Sequence, residues 1–454
     1  MGALKLFNRA CSKPENSLVN HANPFEIMTT LTFRSLQVAV ILCAMTVLHT
    51  SCIKDDCRQF YTYKLYKPVY MSYDQLRTAV NTQPATDLKN VGKVYYLAPF
   101  ILINEVDKGI HVIDNTNPSA PQNVAFINIP GNLDLAVKDH ILYADSYVDL
   151  VAIDISDPTH AREVWRDHNE FEQRSYNGWT GDAAKGVIID WIESDSTIES
   201  DCTTPSPWVF FEDGLALNAT NTGGNSGSIS TGSSPGIGIA GSTMRFAVSN
   251  DYLYCLNTSA LNLYDVSNAS TPVNSGSVFT GWGIETLFSY ENKLFIGTTT
   301  GVSIYDNSTP AAPTLLSTVS HVTGCDPVVV QGNYAYSTIH SGNLCGQSFN
   351  ELNVIDIRNP SSPSISKTFS LYSPRGLAID GNTLFVCDDN QGLQIFDATN
   401  PVELVLLTTE SAGTTQDVIA YAGWLLLISK EGIYQFDYST GNLSQLSFIA
   451  IPGN

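Results

Sequence analysis

The stretch Leu393–Pro401, Leu-Gln-Ile-Phe-Asp-Ala-Thr-Asn-Pro, decides the fold. A short apolar run ends on an aspartate, and small polar residues and a proline follow at once. The same arrangement recurs along the chain. Asp114, Asp154, Asp265, Asp306, Asp356, Asp397 and Asp437 open the stretches DNTNPSAP, DISDPTHA, DVSNASTP, DNSTPAAP, DIRNPSSP, DATNPVEL and DYSTGNLS, at intervals of 40, 111, 41, 50, 41 and 40. A period near 40 residues is longer than a helical or leucine-rich unit usually needs and matches one four-stranded propeller blade. The predicted fold class is therefore all-β, a seven-bladed β-propeller with four-stranded blades.

Working outward from that stretch, the sixth unit reads as RGLAID, NTLFVCD, the turn NQG, LQIFD, the turn ATNP and ELVLLTT. Apolar runs of this length, cut by Gly, Asn, Asp and Pro, are strand and turn signals. The aspartate has a local reason to be there. At the end of a third strand its carboxylate accepts backbone N–H groups in an Asx turn, and the following proline stops the strand. With 43% apolar and 15% charged residues, the chain can fill large sheet-on-sheet cores.

Segments such as LQIFDATNP, LNVIDIRNPSSP, LVAIDISDP and IHVIDNTNPSAP resemble the LVIVD repeat of exported bacterial lipoproteins of propeller type. The resemblance covers about residues 91–451 outside one insertion. It weakens in the last unit, where Tyr438-Ser439-Thr440-Gly441 stands in place of the proline turn. It implies a propeller without a well-defined biochemical activity; no cofactor is expected.

Residues 28–51 read as a lipoprotein signal peptide. Arg34 precedes an apolar run from Leu36 to Leu48, too short for a spanning helix, and small residues lead to Cys52. Counted from Met28 the signal has ordinary proportions, so residues 1–27 are read as an extension upstream of the start. Leu48-His49-Thr50-Ser51-Cys52 resembles a lipobox, with the leucine one place early, and makes Cys52 the lipidation site. Lys54-Asp55-Asp56 is similar to the signal that sends lipoproteins to the outer face of the outer membrane. The expectation is a surface-exposed outer-membrane lipoprotein, held to the membrane by its lipid alone, with residues 52–90 as a tether or a clasp. Of the remaining cysteines, Cys325 and Cys345 flank one blade's first two strands and form the expected disulfide.

The net charge is −21, and without residues 1–51 it becomes −23, from 19 basic and 42 acidic residues. Phosphate backbones are bound by clustered Lys and Arg, so nucleic acid is excluded as a partner.

The 111-residue interval holds a blade and an insertion at 167–243. Its first part carries Trp179, Trp191, Trp208, Phe210 and Phe211 and reads as ordered, whereas 218–242 is a Gly/Ser-rich loop. Long loops on rigid scaffolds often carry binding function. Gly236, Gly238 and Gly241 spell GxGxxG, and Gly232, Ser234 and Gly236 spell GxSxG. Neither lies between a strand and a helix, as those chemistries require. No histidine pair has metal-ligand spacing, so no metal site is assigned. Asp388-Asp389-Asn390-Gln391-Gly392 lacks the spacing and closing Glu of a calcium loop and reads as a turn.

Aligning the first strand of each unit places a charged residue at one position throughout: Lys93, Asp134, Arg245, Glu285, Asp326, Arg375 and Asp417. First strands line a propeller's channel, so these residues should form a ring of three cations and four anions. Either the charges pair with one another and pin the blades, or they form a polar ligand site. The functional expectation is a binding scaffold for an envelope or extracellular protein or a polar ligand. The competing class is a metal-dependent, lactonase-like hydrolase using channel carboxylates.

Overall fold

The computed structural model describes residues 58–176, 179–201, 210–211, 214–215, 239–240, 244–320, 327–340 and 349–452. The signal segment, Cys52, Lys54, Asp55, Asp56, Cys325, Cys345, Asp326, Trp208 and most of the loop 218–242 lie outside them. Two units form. One comprises Met1–Tyr63 and Ser196–Val209, the other Lys64–Asp195 and Phe210–Asn454. The propeller belongs to the second.

Seven four-stranded antiparallel blades form a ring, occupying residues 91–128, 135–167, 246–279, 284–320, 328–370, 374–410 and 415–450. Consecutive strands pair in sequence order within each blade, as short turns require. The first strands are innermost, and those of successive blades touch. Second and third strands are almost wholly buried, for example Phe100–Glu105 and Gly301–Asp306, because neighbouring blades cover both their faces. Fourth strands such as Val405–Glu410 are largely exposed.

All seven repeated aspartates act on their own turns. In each, Oδ1 accepts the N–H of the residue two places on, at 2.8–3.0 Å, from Thr116, Ser156, Ser267, Ser308, Arg358, Thr399 and Ser439. Hydrogen bonds from the side chain and N–H of that residue hold each carboxyl below its ordinary range. A depressed folded-state pKa gives stability that is present above the unfolded value and lost as pH falls through the folded one. Resistance to thermal unfolding is therefore expected to weaken from pH 5 to pH 3. Asp306→Asn, which keeps the acceptor but not the charge, should flatten that dependence, and an unchanged slope would contradict it.

The turns also join blades. Tyr143 Oη donates to Ala269 O at 2.8 Å, and Tyr254 Oη donates to Asn307 Oδ1 at 2.8 Å and Pro310 O at 3.2 Å. Ring closure uses the same device with a different residue: Gln435 Nε2 donates to Asn115 Oδ1 at 2.8 Å, from the last blade to the first. Beneath that bond Val94, Ile101, Ile103 and Ile113 pack against Ile419, Leu426, Ile428 and Ile433. The last blade is built wholly from C-terminal strands, so no sheet spans the seam and packing closes it.

Part of the segment 64–90 joins the first blade. After a long strand, Arg58–Met71, a single helical turn Tyr73–Leu76 is capped by Ser72 and Gln75 reciprocally, and Asn81–Gln83 then adds a fifth strand to the outer edge of the first blade. The long strand pairs with Val187–Asp201 of the insertion. Ile239–Ala240, inside the GxGxxG stretch, pairs with Tyr95 and Tyr96 on the inner edge of the first blade. A nucleotide loop would turn into a helix at this point; here a strand forms.

Candidate functional site: the charged channel mouth

The ring residues do not share one register: Lys93, Asp134, Arg245 and Asp417 align, whereas Glu285 and Arg375 stand one residue nearer their strand starts. In four blades the ladder between first and second strands shifts register there, between Val91 and Val94, Ile284 and Thr286, Pro374 and Leu377, and Thr415 and Asp417. Asp134 and Arg245 stand one residue ahead of the first paired residues of their strands, Leu135 and Phe246. A bulge at a strand start re-aims a side chain. Six of the seven ring residues thus sit at one end of the channel, and Asp326 lies outside the described residues.

A second set of carboxylates, not singled out in the sequence, holds these starts in place. Glu105 accepts the N–H groups of Lys89 and Asn90 at 3.0 and 2.8 Å. Asp145 Oδ1 accepts those of Leu133 and Asp134, both at 2.8 Å, and Asp388 Oδ2 accepts those of Tyr372 and Ser373 at 3.1 and 2.8 Å. Each stands at the end of a second strand. The signal available in the sequence was an acidic residue closing the second strand in three units. Asp388 Oδ1 also accepts from Asn390 and Gln391 N–H, the geometry of an ordinary turn.

Within the ring, Lys93 is only 4% exposed and its Nζ has no hydrogen-bond partner among the described residues. Burial lowers its pKa to about 8, against the attraction of Asp134 and Asp417. Asp134 is 3% exposed and burial raises it to about 6, although Lys93 draws it down. Its oxygens accept from the backbone N–H groups of Leu135 at 2.8 Å and of Arg245 at 2.6 Å. Arg375 turns to a residue off the ring: Nε and Nη2 donate to Asp389 Oδ2 at 2.9 and 2.5 Å, and Nη1 meets His340 Nε2 at 3.0 Å. Burial and the Arg375 charge lower His340 to about 4, so it is neutral and accepts that bond. Asp134 is thus satisfied partly by two other ring residues, through the Arg245 N–H and the attraction of Lys93, whereas the guanidinium of Arg375 turns to Asp389 and His340. Gly376 explains how closely the strands approach there, since a Cβ on it would meet Asp417 Oδ1 at 2.1 Å.

The insertion begins on the same face and covers part of it. Arg174 donates to Asp107 and to Gly131 O, reaches Asp145 at 3.4 Å, and lies over the Tyr147 ring. Asn262 Nδ2 donates to Glu170 at 2.5 Å, Thr258 Oγ1 donates to Glu172 at 2.9 Å, and Phe171 stacks on Phe246. These contacts fall on blades one to three. Around blades four to six the aromatic residues Trp282, Phe349 and Tyr372 are exposed. Among the described residues no three His, Cys, Asp or Glu side chains gather closely enough to hold a metal ion. Cys255 and Cys387 are buried free thiols, and burial pushes both well above their ordinary pKa.

The architecture and the ring define a seven-bladed propeller with a charged channel mouth. Residues 133–166, 240–280, 325–370 and 373–409 match the LVIVD repeat, so the chain carries LVIVD repeats in blades two, three, five and six. A search of curated protein sequences found no match. Among solved structures, a periplasmic gluconolactonase of Pseudomonas aeruginosa is similar at 11% identity, over 82% of this chain and 97% of that one, with a TM-score of 0.49. A protein of Lactobacillus plantarum is similar at 13% identity, over 80% and 96%, with a TM-score of 0.49. A functionally unknown protein of Desulfotomaculum acetoxidans is similar at 8% identity, over 79% and 95%, with a TM-score of 0.45. At such identities the likeness is one of fold alone.

Proposed function

We propose that this protein is an exported, lipid-anchored propeller that binds an envelope or extracellular protein or a polar ligand on the face where its first strands begin. The anchor is Cys52, and Lys54, Asp55 and Asp56 direct the protein to the outer face of the outer membrane. The observation that supports binding most is the division of that face. The start of the insertion covers blades one to three, while blades four to six present Trp282 and Tyr372, 72% and 62% exposed, beside hydrogen-bonding side chains. Large exposed aromatics are informative, since a soluble fold gains by covering them, and aromatic and Arg residues dominate binding energy at interfaces. Turns held by fixed strands also lose little entropy on binding.

Crosslinking on intact cells that express the full tagged chain, followed by analysis of both captured proteins and glycoconjugates, tests this. The expected result is a defined partner that is lost with Trp282→Ala plus Tyr372→Ala. Capture that is unchanged by both substitutions, or nothing defined, overturns it. Cys52→Ala should move the protein from the membrane to the soluble fraction.

A further inference from the structure

Trp282 and Tyr372 occupy equivalent places, each three residues ahead of a ring residue, Glu285 and Arg375. Both lie in the connection from one blade's fourth strand to the next blade's first. Trp282 stands between two glycines in the left-handed region, Gly281 at φ 97° and Gly283 at φ 71°. A Cβ on Gly283 would meet Thr299 Oγ1 at 2.4 Å, so the turn is packed from beneath and holds the indole outward. Tyr372 is held by its own N–H, which donates to the buried Asp388. Both aromatic residues therefore stand exposed on short turns whose backbones are held in place.

The polar groups beside them retain hydrogen-bonding capacity. Arg375 has five N–H donors and, among the described residues, uses three, two on Asp389 and one on His340. The bonds to the Asp389 carboxylate, including that from Ser373 Oγ at 3.2 Å, all reach Oδ2, which leaves Oδ1 as an acceptor. The two side chains are 29% and 19% exposed, so a ligand can reach them. The pair offers donors and an acceptor together and is neutral as a unit.

We propose that the channel-mouth face of blades four to six binds a neutral oligosaccharide, with one sugar ring stacked on Tyr372 and its hydroxyls bonded to Arg375 and Asp389, and with Trp282, on the equivalent turn of blade four, as a separate stacking platform. This rests on the reading of that face as the binding face. A pyranose has an apolar C–H surface for an aromatic ring and an edge of hydroxyls that both donate and accept, which matches platform and pair at once. A polyanion would meet a chain of net charge −21. A mainly apolar protein surface would want a continuous patch, whereas polar turn residues such as Thr280, Ser373, Asp389 and Asn390 flank these rings.

The test is an array of neutral oligosaccharides, with glucose, mannose and N-acetylglucosamine hexamers as probes, read with the full tagged chain in detergent. Calorimetry of the strongest probe follows. The expected result is binding that weakens at least about tenfold with Trp282→Ala or Tyr372→Ala, at an unchanged melting temperature because both side chains are exposed. Arg375→Gln should weaken it as well. Failure to bind any neutral probe at millimolar concentration, or binding indifferent to both aromatic substitutions, overturns the saccharide. If cells yield a protein partner lost with the aromatic pair while the array stays blank, the binding face stands and the saccharide falls. If both assays are blank, both fall.

Discussion

Truncating Leu426 to alanine is expected to destabilise the propeller by about 2–5 kcal/mol, the range for removing a large aliphatic side chain from a packed core. Leu426 is fully buried and belongs to the cluster through which the last blade meets the first. In a ring whose closing blade took strands from both ends of the chain, backbone hydrogen bonds would share the load. Here the seam is carried by side chains and by the Gln435–Asn115 bond, so a cavity acts on closure directly. Urea unfolding with amide exchange is the check. Beyond the loss of stability, exchange should rise first in Val91–Leu97 and Trp424–Ser429. A loss below about 1 kcal/mol, or uniform loosening of all blades, would contradict closure by packing.

The buried ammonium of Lys93 gives the second large effect. Its pKa is about 8 in the folded protein against an ordinary 10.5, because desolvation outweighs the pull of Asp134 and Asp417. Between those two values the unfolded chain binds a proton that the folded one has released, so stability rises with pH. Below pH 8 both states are protonated and the cost of burial is present in full. From pH 8 to 10 the Lys93 contribution should therefore rise by about 2–3 kcal/mol. Asp134 acts at the other end of the scale: burial raises it from 3.8 to about 6, so its contribution falls as pH climbs through that window. Burial also pushes the phenols of Tyr143, Tyr254 and Tyr264 upward, which lowers stability at high pH, but equally in wild type and in Lys93→Met. Removing the lysine also lets Asp134 rise further, so the comparison is made above the range in which Asp134 titrates, where the difference between the two proteins follows the lysine. That difference should shift in favour of wild type by the stated amount between pH 8 and 10, and a difference independent of pH would contradict the buried charge.

The repeat was legible because each unit carries its own local instruction. An apolar run, an aspartate two residues ahead of an N–H it can accept, and small or proline residues are enough to place a third strand and its turn. Alignment of first strands brought Lys93, Asp134, Arg245 and Asp417 to one register but set Glu285 and Arg375 one residue off it, because a bulge at the strand start hides the true register from the sequence. How those charges are satisfied was not legible. Arg375 pairs with Asp389, which adjoins it only because a second-strand turn folds back over a first-strand start. Asn81–Gln83 and Ile239–Ala240 were missed as strands for a related reason: three residues or two have no periodicity, and only the free edges of the first blade organise them. Trp282 gave a weak local cue, an aromatic between two glycines, whose meaning depends on its height above the ring.

Binding at the face where the first strands begin can be tested with a photoreactive phenylalanine. One variant carries it at Tyr372 on that face, and a separate variant at Tyr421, the last residue of the last blade's first strand. Both positions are exposed, and they lie at opposite ends of the blades. On intact cells the expected result is a discrete adduct from position 372 and none from 421. Adducts from 421 alone, or the same adducts from both, would contradict binding at that face.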